Sequence, residues 1–316
     1  MNLKSLKTLL ASTCILTAGI LSAPALDLVW TTGVNSTVQG ANFDGSGTTT
    51  LFTFGTILRG VDVLPTADKI YVAGSDRIIY SDIDGSNMNQ FFVTGLSDAS
   101  GMAVDRTNSK IYFSSSTGIS RIDVTTGTGV ATTLVTSQGG GSEAIALDVA
   151  NQHIYYLQES DTSLRRIGFD GTGQTTLVTG GNITNPEGLS LDLANQRIYV
   201  VNQGSSSNGS IVRYDFSGTF IDTVISGVAT AGPEGVLAST TNSKLYFTAS
   251  NASGQIRSAD LDGSNLDNAF ITGLSTDVQQ IALVPEPGTY ALIFGALGLA
   301  IALVTRRLRN RGSEES

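Results

Sequence analysis

An apolar residue followed by an aromatic one recurs six times along the chain, at Trp30, Tyr71, Tyr112, Tyr155, Tyr199 and Tyr246, at intervals of 41, 41, 43, 44 and 47 residues. A period of this length marks a chain built by repeating one supersecondary unit, whose copies must bury each other's apolar faces. Two turns punctuate each copy. Before most of the aromatics stands Asp or Asn with a basic residue close behind: Asp68-Lys69, Asn108 to Lys110, Asn151 to His153, Asn195 to Arg197 and Asn242 to Lys244. Between 13 and 18 residues after each aromatic comes a second turn: Asp44-Gly45-Ser46, Asp84-Gly85-Ser86, Thr126-Gly127, Asp170-Gly171-Thr172, Ser217-Gly218-Thr219 and Asp262-Gly263-Ser264. Asp and Gly tolerate positive φ, so Asp-Gly between alternating apolar runs predicts a hairpin. The runs themselves are short and rich in Val, Ile, Thr, Tyr and Phe. No segment between residues 26 and 284 sustains a helical period, so the fold is expected to be all-β.

A third marker stands 12 residues before five of the aromatics: Arg59, Ser100, Glu143, Glu187 and Glu234. Each is followed by Gly or Ala and then an alternating strand such as Gly188-Leu189-Ser190-Leu191-Asp192. A sixth copy, Gln279-Gln280-Ile281-Ala282-Leu283, has no aromatic after it, while Leu28-Val29-Trp30 has no such strand before it. Pairing these two orphans closes a ring and hides the edges of its sheets. The expected architecture is therefore a six-bladed β-propeller of four-stranded blades, with one blade shared between the two ends of the chain.

The order of inner strand, Asp/Asn turn, Ile-Tyr strand, Asp-Gly-Ser turn and outer strand resembles the YWTD repeats of the low-density lipoprotein receptor class B propellers, over residues 28 to 284. Tyr71, Tyr112, Tyr155, Tyr199 and Tyr246 match the Tyr of that motif and Trp30 replaces it once. The Trp-Thr-Asp that follows in the family is mostly replaced here, as in Val72-Ala73-Gly74 and Phe113-Ser114-Ser115. The resemblance thus implies the fold without the family's Asp-based links between blades. It also implies that the mouth opened by the inner strands is a partner-binding face.

Both ends of the chain read as addresses. Residues 1–25 have the form of a signal peptide: Lys4 and Lys7, an apolar stretch from Leu9 to Leu21, and Ala23-Pro24-Ala25 before a cleavage site at Leu26. Cys14 lies inside the apolar stretch, and Ala11-Ser12-Thr13 before it lack a lipid-attachment pattern. At the other end, Val284-Pro285-Glu286-Pro287-Gly288 precedes an apolar run over 289–305, long enough for a short transmembrane helix, and an Arg cluster over 306–311. Pro285, Glu286 and Pro287, followed by the apolar run and by Arg306, Arg307, Arg309 and Arg311, resemble the PEP-CTERM sorting signal of Gram-negative bacteria. That resemblance covers 284–311. It implies handling by signal peptidase and by an exosortase, an inner-membrane-anchored intermediate with the arginines on the cytoplasmic side, and a final place at the cell surface or in the extracellular matrix.

Composition narrows the function. Of 316 residues only 18 are Lys or Arg against 27 Asp or Glu, so the formal charge is −9 and phosphate-neutralising nucleic-acid binding is excluded. One Cys and one His rule out a disulfide framework, a thiolate cluster and multi-histidine metal chemistry. The six residues that open the inner strands, Arg59, Ser100, Glu143, Glu187, Glu234 and Gln279, should ring one mouth of the central channel, because equal register gives equal orientation. They are the candidate ligand-binding residues. Three consecutive glutamates could take a divalent cation such as calcium, or a cationic or polyhydroxyl ligand; equally, they are solvated turn positions shared by common ancestry of the repeats. The sequences Asp82-Ile83-Asp84-Gly85-Ser86-Asn87 and Asp260-Leu261-Asp262-Gly263-Ser264-Asn265 look faintly like calcium loops but lack the distal Glu of an EF-hand, and read as hairpin turns. His153 reads as a surface turn residue, with no partners for nucleophilic catalysis. The expected function is a non-catalytic surface module that binds a polysaccharide or a protein. The alternative is an enzyme of the lactonase-like or lyase-like propeller type with a metal at the channel mouth, for which no catalytic residue can be named.

Overall fold

The computed structural model describes residues 26–136, 142–204, 209–228, 233–249, 254–274 and 277–285, without the side chains of residues 142 and 143. Residues 1–25, where a signal peptide is expected, and residues 286–316, which include all but the start of the sorting signal expected over 284–311, lie outside the described residues. Among the described residues, no helix is long and apolar enough to cross a membrane, and 24 strands form six antiparallel sheets of four. The sheets are the blades of a six-bladed β-propeller. Five blades are sequential meanders. The sixth joins the last strand, Val278–Leu283, to the first three, Leu28–Thr32, Thr37–Ala41 and Thr49–Thr53. Its register pairs Leu28 with Leu283, Val29 with Ala282 and Trp30 with Ile281, the closure expected from the two orphan segments.

Every strand that carries a marker aromatic is second from the channel and packed on both faces, which is why it reads as an apolar run. Alternation sends the aromatic to one neighbouring blade and its flanking aliphatics to the other. Tyr71 packs with Ile111 and Phe113 of the next blade, while Ile70 and Val72 pack with Val29 and Val38 of the preceding one. Six apolar clusters result, one at each seam between blades. Trp30 and the five marker tyrosines are all buried. Each such ring contributes about 1.5–3 kcal/mol of burial free energy.

The turns behave as their chemistry requires. At the end of three inner strands a buried carboxylate, Asp105, Asp148 or Asp192, accepts the backbone N–H three residues on (3.0, 3.1 and 3.0 Å) and the side-chain amide of the Asn there (2.7 Å each). The next residue, Ser109, Gln152 or Gln196, then takes a positive φ of 52–55°. The second turns join third and fourth strands as hairpins. The Asp-x-Asp-Gly-Ser-Asn turns are held by protein donors: Asp82 pairs with Lys69 and accepts Asn87 Nδ2 (2.6 Å), and Asp260 pairs with Lys244 (2.6 Å) and accepts Asn265 Nδ2 (2.7 Å). Those bonds, the Lys bond foremost, hold both carboxyls below the usual range.

The hairpin glycines do more than turn the chain. A Cβ on Gly45, Gly85, Gly129, Gly171, Gly218 or Gly263 would come closer than 3.0 Å to a carbonyl oxygen of the preceding blade's outer strand, respectively that of Phe270, Leu51, Phe92, Leu134, Leu177 and Val224. The outer rim is thus closed six times by the same glycine-to-carbonyl contact. In the third of these turns the contact falls to Gly129; Gly127, which the sequence pattern marks, meets nothing within 4 Å. Polar links cross the seams as well. Tyr199 Oη and Arg213 Nη1 both donate to the Leu261 carbonyl (2.8 and 3.0 Å), and Arg121 Nη1 donates to that of Phe169 (3.2 Å).

Candidate functional site

The six inner strands start at one mouth of the channel and end at the other. At the starting mouth Arg59, Ser100, Glu187, Glu234 and Gln279, with Gln280, line one cavity of about 30 Å³. Five of the six residues predicted from equal register are therefore brought together. Glu143 occupies the matching place in the strand Ser142–Asp148, but its side chain lies outside the description. The opening is narrow because the strands crowd there. A Cβ on Gly60, Gly188 or Gly235 would come closer than 3.0 Å to the carbonyl of the next ring residue, Ser100, Glu234 or Gln279. Only Gly permits that approach, which accounts for the glycine after most ring positions.

The ring is braced from behind. Thr248 Oγ1 accepts the N–H groups of Gly235 and Glu234 (2.7 and 3.3 Å). Ser114, two residues after Tyr112 as Thr248 is two after Tyr246, accepts the N–H of Gly101 (2.8 Å) and lies 3.2 Å from the Ser100 hydroxyl. Arg59 makes an ion pair with Asp98 (3.2 Å). Gln203 donates to Glu234 Oε1 (3.4 Å), and Gln279 donates to Asp277 (2.6 Å). The lining of this small opening comprises, among the described residues, one cation, two carboxylates, a hydroxyl and two amides. Such a set can bind hydroxyl-rich or mixed-charge groups by hydrogen bonds. Among the described residues, no group of three or more His, Cys, Asp or Glu stands where it could hold a metal ion. His153 is half-buried at the start of its strand, edge-on to Tyr155 with ring centres 6.4 Å apart.

The other mouth carries a pair that sequence reasoning missed. Asp62 accepts from Val63 N (2.8 Å), from Val104 N of the next blade (2.7 Å) and from Arg106 Nη2. This is a carboxylate link between blades. Ser190, opposite Tyr199 as Asp62 is opposite Tyr71, uses the same register to accept Ala238 N (2.9 Å), but the other equivalent positions are Ala103, Ala146, Leu237 and Ile281, so no repeated residue type announces the link. The chain also enters and leaves at this mouth. Val284 N donates to the Asp27 carbonyl (2.8 Å), and Pro285, the first residue of the proline-glutamate-proline motif, lines the opening.

No protein-family model and no curated protein sequence matches the chain. Solved structures do. A chain of a nidogen/laminin complex is 14% identical with a TM-score of 0.68, the match covering 82% of this chain and 98% of that one. TolB from Acinetobacter baumannii is 16% identical with a TM-score of 0.63, covering 83% and 66%. XC5397 from Xanthomonas campestris, described as a gluconolactonase, is 14% identical with a TM-score of 0.58, covering 82% and 88%. At these identities the likeness concerns the fold, and through it the chain is a six-bladed β-propeller similar in shape both to a component of a protein complex and to an enzyme.

Proposed function

We propose that this protein is an exported binding module, delivered by an exosortase-type pathway to the cell surface or matrix, that takes a polysaccharide or protein partner at the ring mouth. The observation that carries this reading is the convergence of Arg59, Ser100, Glu187, Glu234 and Gln279 on one cavity. The donors and acceptors there suit hydroxyl-rich ligands, and the braces behind the ring hold its backbone ready. Delivery is supported by the proline-glutamate-proline, apolar run and arginine order of residues 284–311. Replacing Glu143, Glu187 and Glu234 with Gln should weaken binding of acidic or neutral polysaccharides in calorimetric titration at least tenfold while the fold is retained. Flat titrations for the wild type, or equal binding by the variant, would overturn the ring as a site. For delivery, mass spectrometry of the mature protein from a host with an exosortase should find the chain trimmed before Ser316. An intact C-terminus would leave a plain membrane anchor.

A second reading is supported by two carboxylates in one channel mouth on a fold shared with a gluconolactonase. A lactonase-like enzyme would retain a divalent metal through purification, and the Glu-to-Gln variant would lose it. Metal analysis of both proteins separates the two readings.

A further inference from the structure

Behind the ring, with Gln280 common to both linings, the channel widens into a second cavity of about 340 Å³, within the size range of small-ligand sites. Its lining comes from residues of the inner strands, among them Val61, Ala146, Leu189, Leu191, Ile281 and Leu283. Ser190 also lines it, but its hydroxyl is used by Ala238 N (2.9 Å). The remaining polar side chains of the lining are Gln280 beneath the ring, and Asp62 with Arg106 at the far mouth. Entry must be from the far mouth, because the ring end has only about 30 Å³. That mouth is framed by Val149, Pro285 and Leu193, which is 47% exposed.

The far mouth also has a head-group reader. Asp62 already accepts from three donors. Arg106 gives Nη2 to it, while its Nε and Nη1 have no acceptor among the described residues, and its side chain is 31% exposed. Because Arg106 and Asp62 together carry no net charge, an anion at this mouth would be held by hydrogen bonds from the guanidinium rather than by net attraction, which favours a monoanion over a dianion. The inner strands run for about five residues from ring to far mouth, roughly 17 Å at about 3.3 Å per residue. We propose that the channel binds a single-chain amphiphile with a carboxylate head, a molecule of the fatty-acid class, its tail between the inner strands and its head on the guanidinium of Arg106.

The test uses the full chain in phosphatidylcholine nanodiscs, titrated with dodecanoate carrying ¹³C at the carboxyl and followed by NMR, with empty nanodiscs as the blank. The expected result is a saturable bound resonance, one per chain, distinct from the lipid-partitioned signal. Ala146→Phe, which fills the tube, should abolish it. Arg106→Gln should weaken it about tenfold, and dodecanol should displace the probe about tenfold less well than dodecanoate. Ring variants Glu187→Gln and Glu234→Gln should bind the probe as the wild type does, which separates this site from the polysaccharide mouth. If Ala146→Phe fails to fold, Leu191→Trp fills the same space. A signal no different from empty nanodiscs, or unchanged binding by a folded tube-filling variant, overturns the site. Equal displacement by dodecanol overturns the role of Arg106.

Discussion

The outer rim and the ring mouth are each written once per blade, yet they tolerate difference in opposite ways. At the rim the same glycine meets the same kind of carbonyl at all six seams. At the mouth the equivalent position is Arg59, Ser100, Glu143, Glu187, Glu234 or Gln279. The rim contact leaves no room for a side chain, so geometry dictates the residue. The described side chains of this set line an opening, so the backbone fixes their place and leaves their chemistry open to variation. Repetition enforced by packing and variation permitted by exposure are what separate scaffold from site in this molecule.

The strongest way to break this contrast is to open the ring. Ending the chain after Asp277 removes the strand Val278–Leu283 and unpairs Leu28–Thr32, exposing edges at both ends. Loss of the cooperative melting transition, or insolubility, is expected, whereas ending at Pro285 should leave melting unchanged. Next in size is alkaline unfolding, which acts on the seams. Tyr71, Tyr112, Tyr155, Tyr156, Tyr199, Tyr214 and Tyr246 are all raised above the ordinary tyrosine value by burial, Tyr71 to about 12. A raised folded value means the native state holds the proton more tightly. Stability from these groups is therefore complete below about pH 10, the unfolded value, and drains away as pH rises towards 12. Denaturant midpoints measured from pH 9 to 12 should fall steeply above 10, and a flat profile would show that the seams admit water.

A sharper probe compares two glycines of one blade with similar φ. Gly85 (φ 85°) abuts the Leu51 carbonyl, and Gly95 (φ 76°) has nothing within 4 Å of a built Cβ. Gly95→Ala should cost about 1 kcal/mol, from backbone conformation alone. Gly85→Ala should cost about 3 kcal/mol or more, because the seam must also part. Equal costs in chemical denaturation would show that the rim contact is slack. The smallest expected effect is at the mouth: Glu187→Gln with Glu234→Gln should shift stability by no more than about 0.5 kcal/mol.

The same contrast explains what was legible in the sequence. Whatever packing forces to repeat could be read from the chain, because periodicity survives while identity drifts: the aromatics, the Asp-Gly turns, the inner-strand register, and the closure of Leu28–Thr32 on Val278–Leu283. The ring positions followed from register alone. Reading failed where one blade solves a problem in its own way. The third turn hands its rim contact from Gly127 to Gly129 after the short 3₁₀ turn Val124–Thr126. The Asp62–Arg106 pair occurs at one seam, and the arginines that stand opposite Tyr112 and Tyr199, Arg121 and Arg213, each reach a carbonyl 48 residues further along the chain. Those contacts are products of tertiary geometry and leave no local pattern.

The hydrogen bond from Val284 to Asp27 places the chain flanking the first and last strands side by side at the propeller's closure, and this has a mechanical consequence. Leu28–Thr32 and Val278–Leu283 are antiparallel neighbours whose free ends emerge together. Tension applied between the two ends would load their ladder one rung at a time, as a zipper is pulled, because in an antiparallel pair the cross-strand bonds lie along that line of force. A molecule tethered at both ends would yield first at its own closure. Tethered at one end only, it would pass no tension across that seam, and the ring would stay shut under drag.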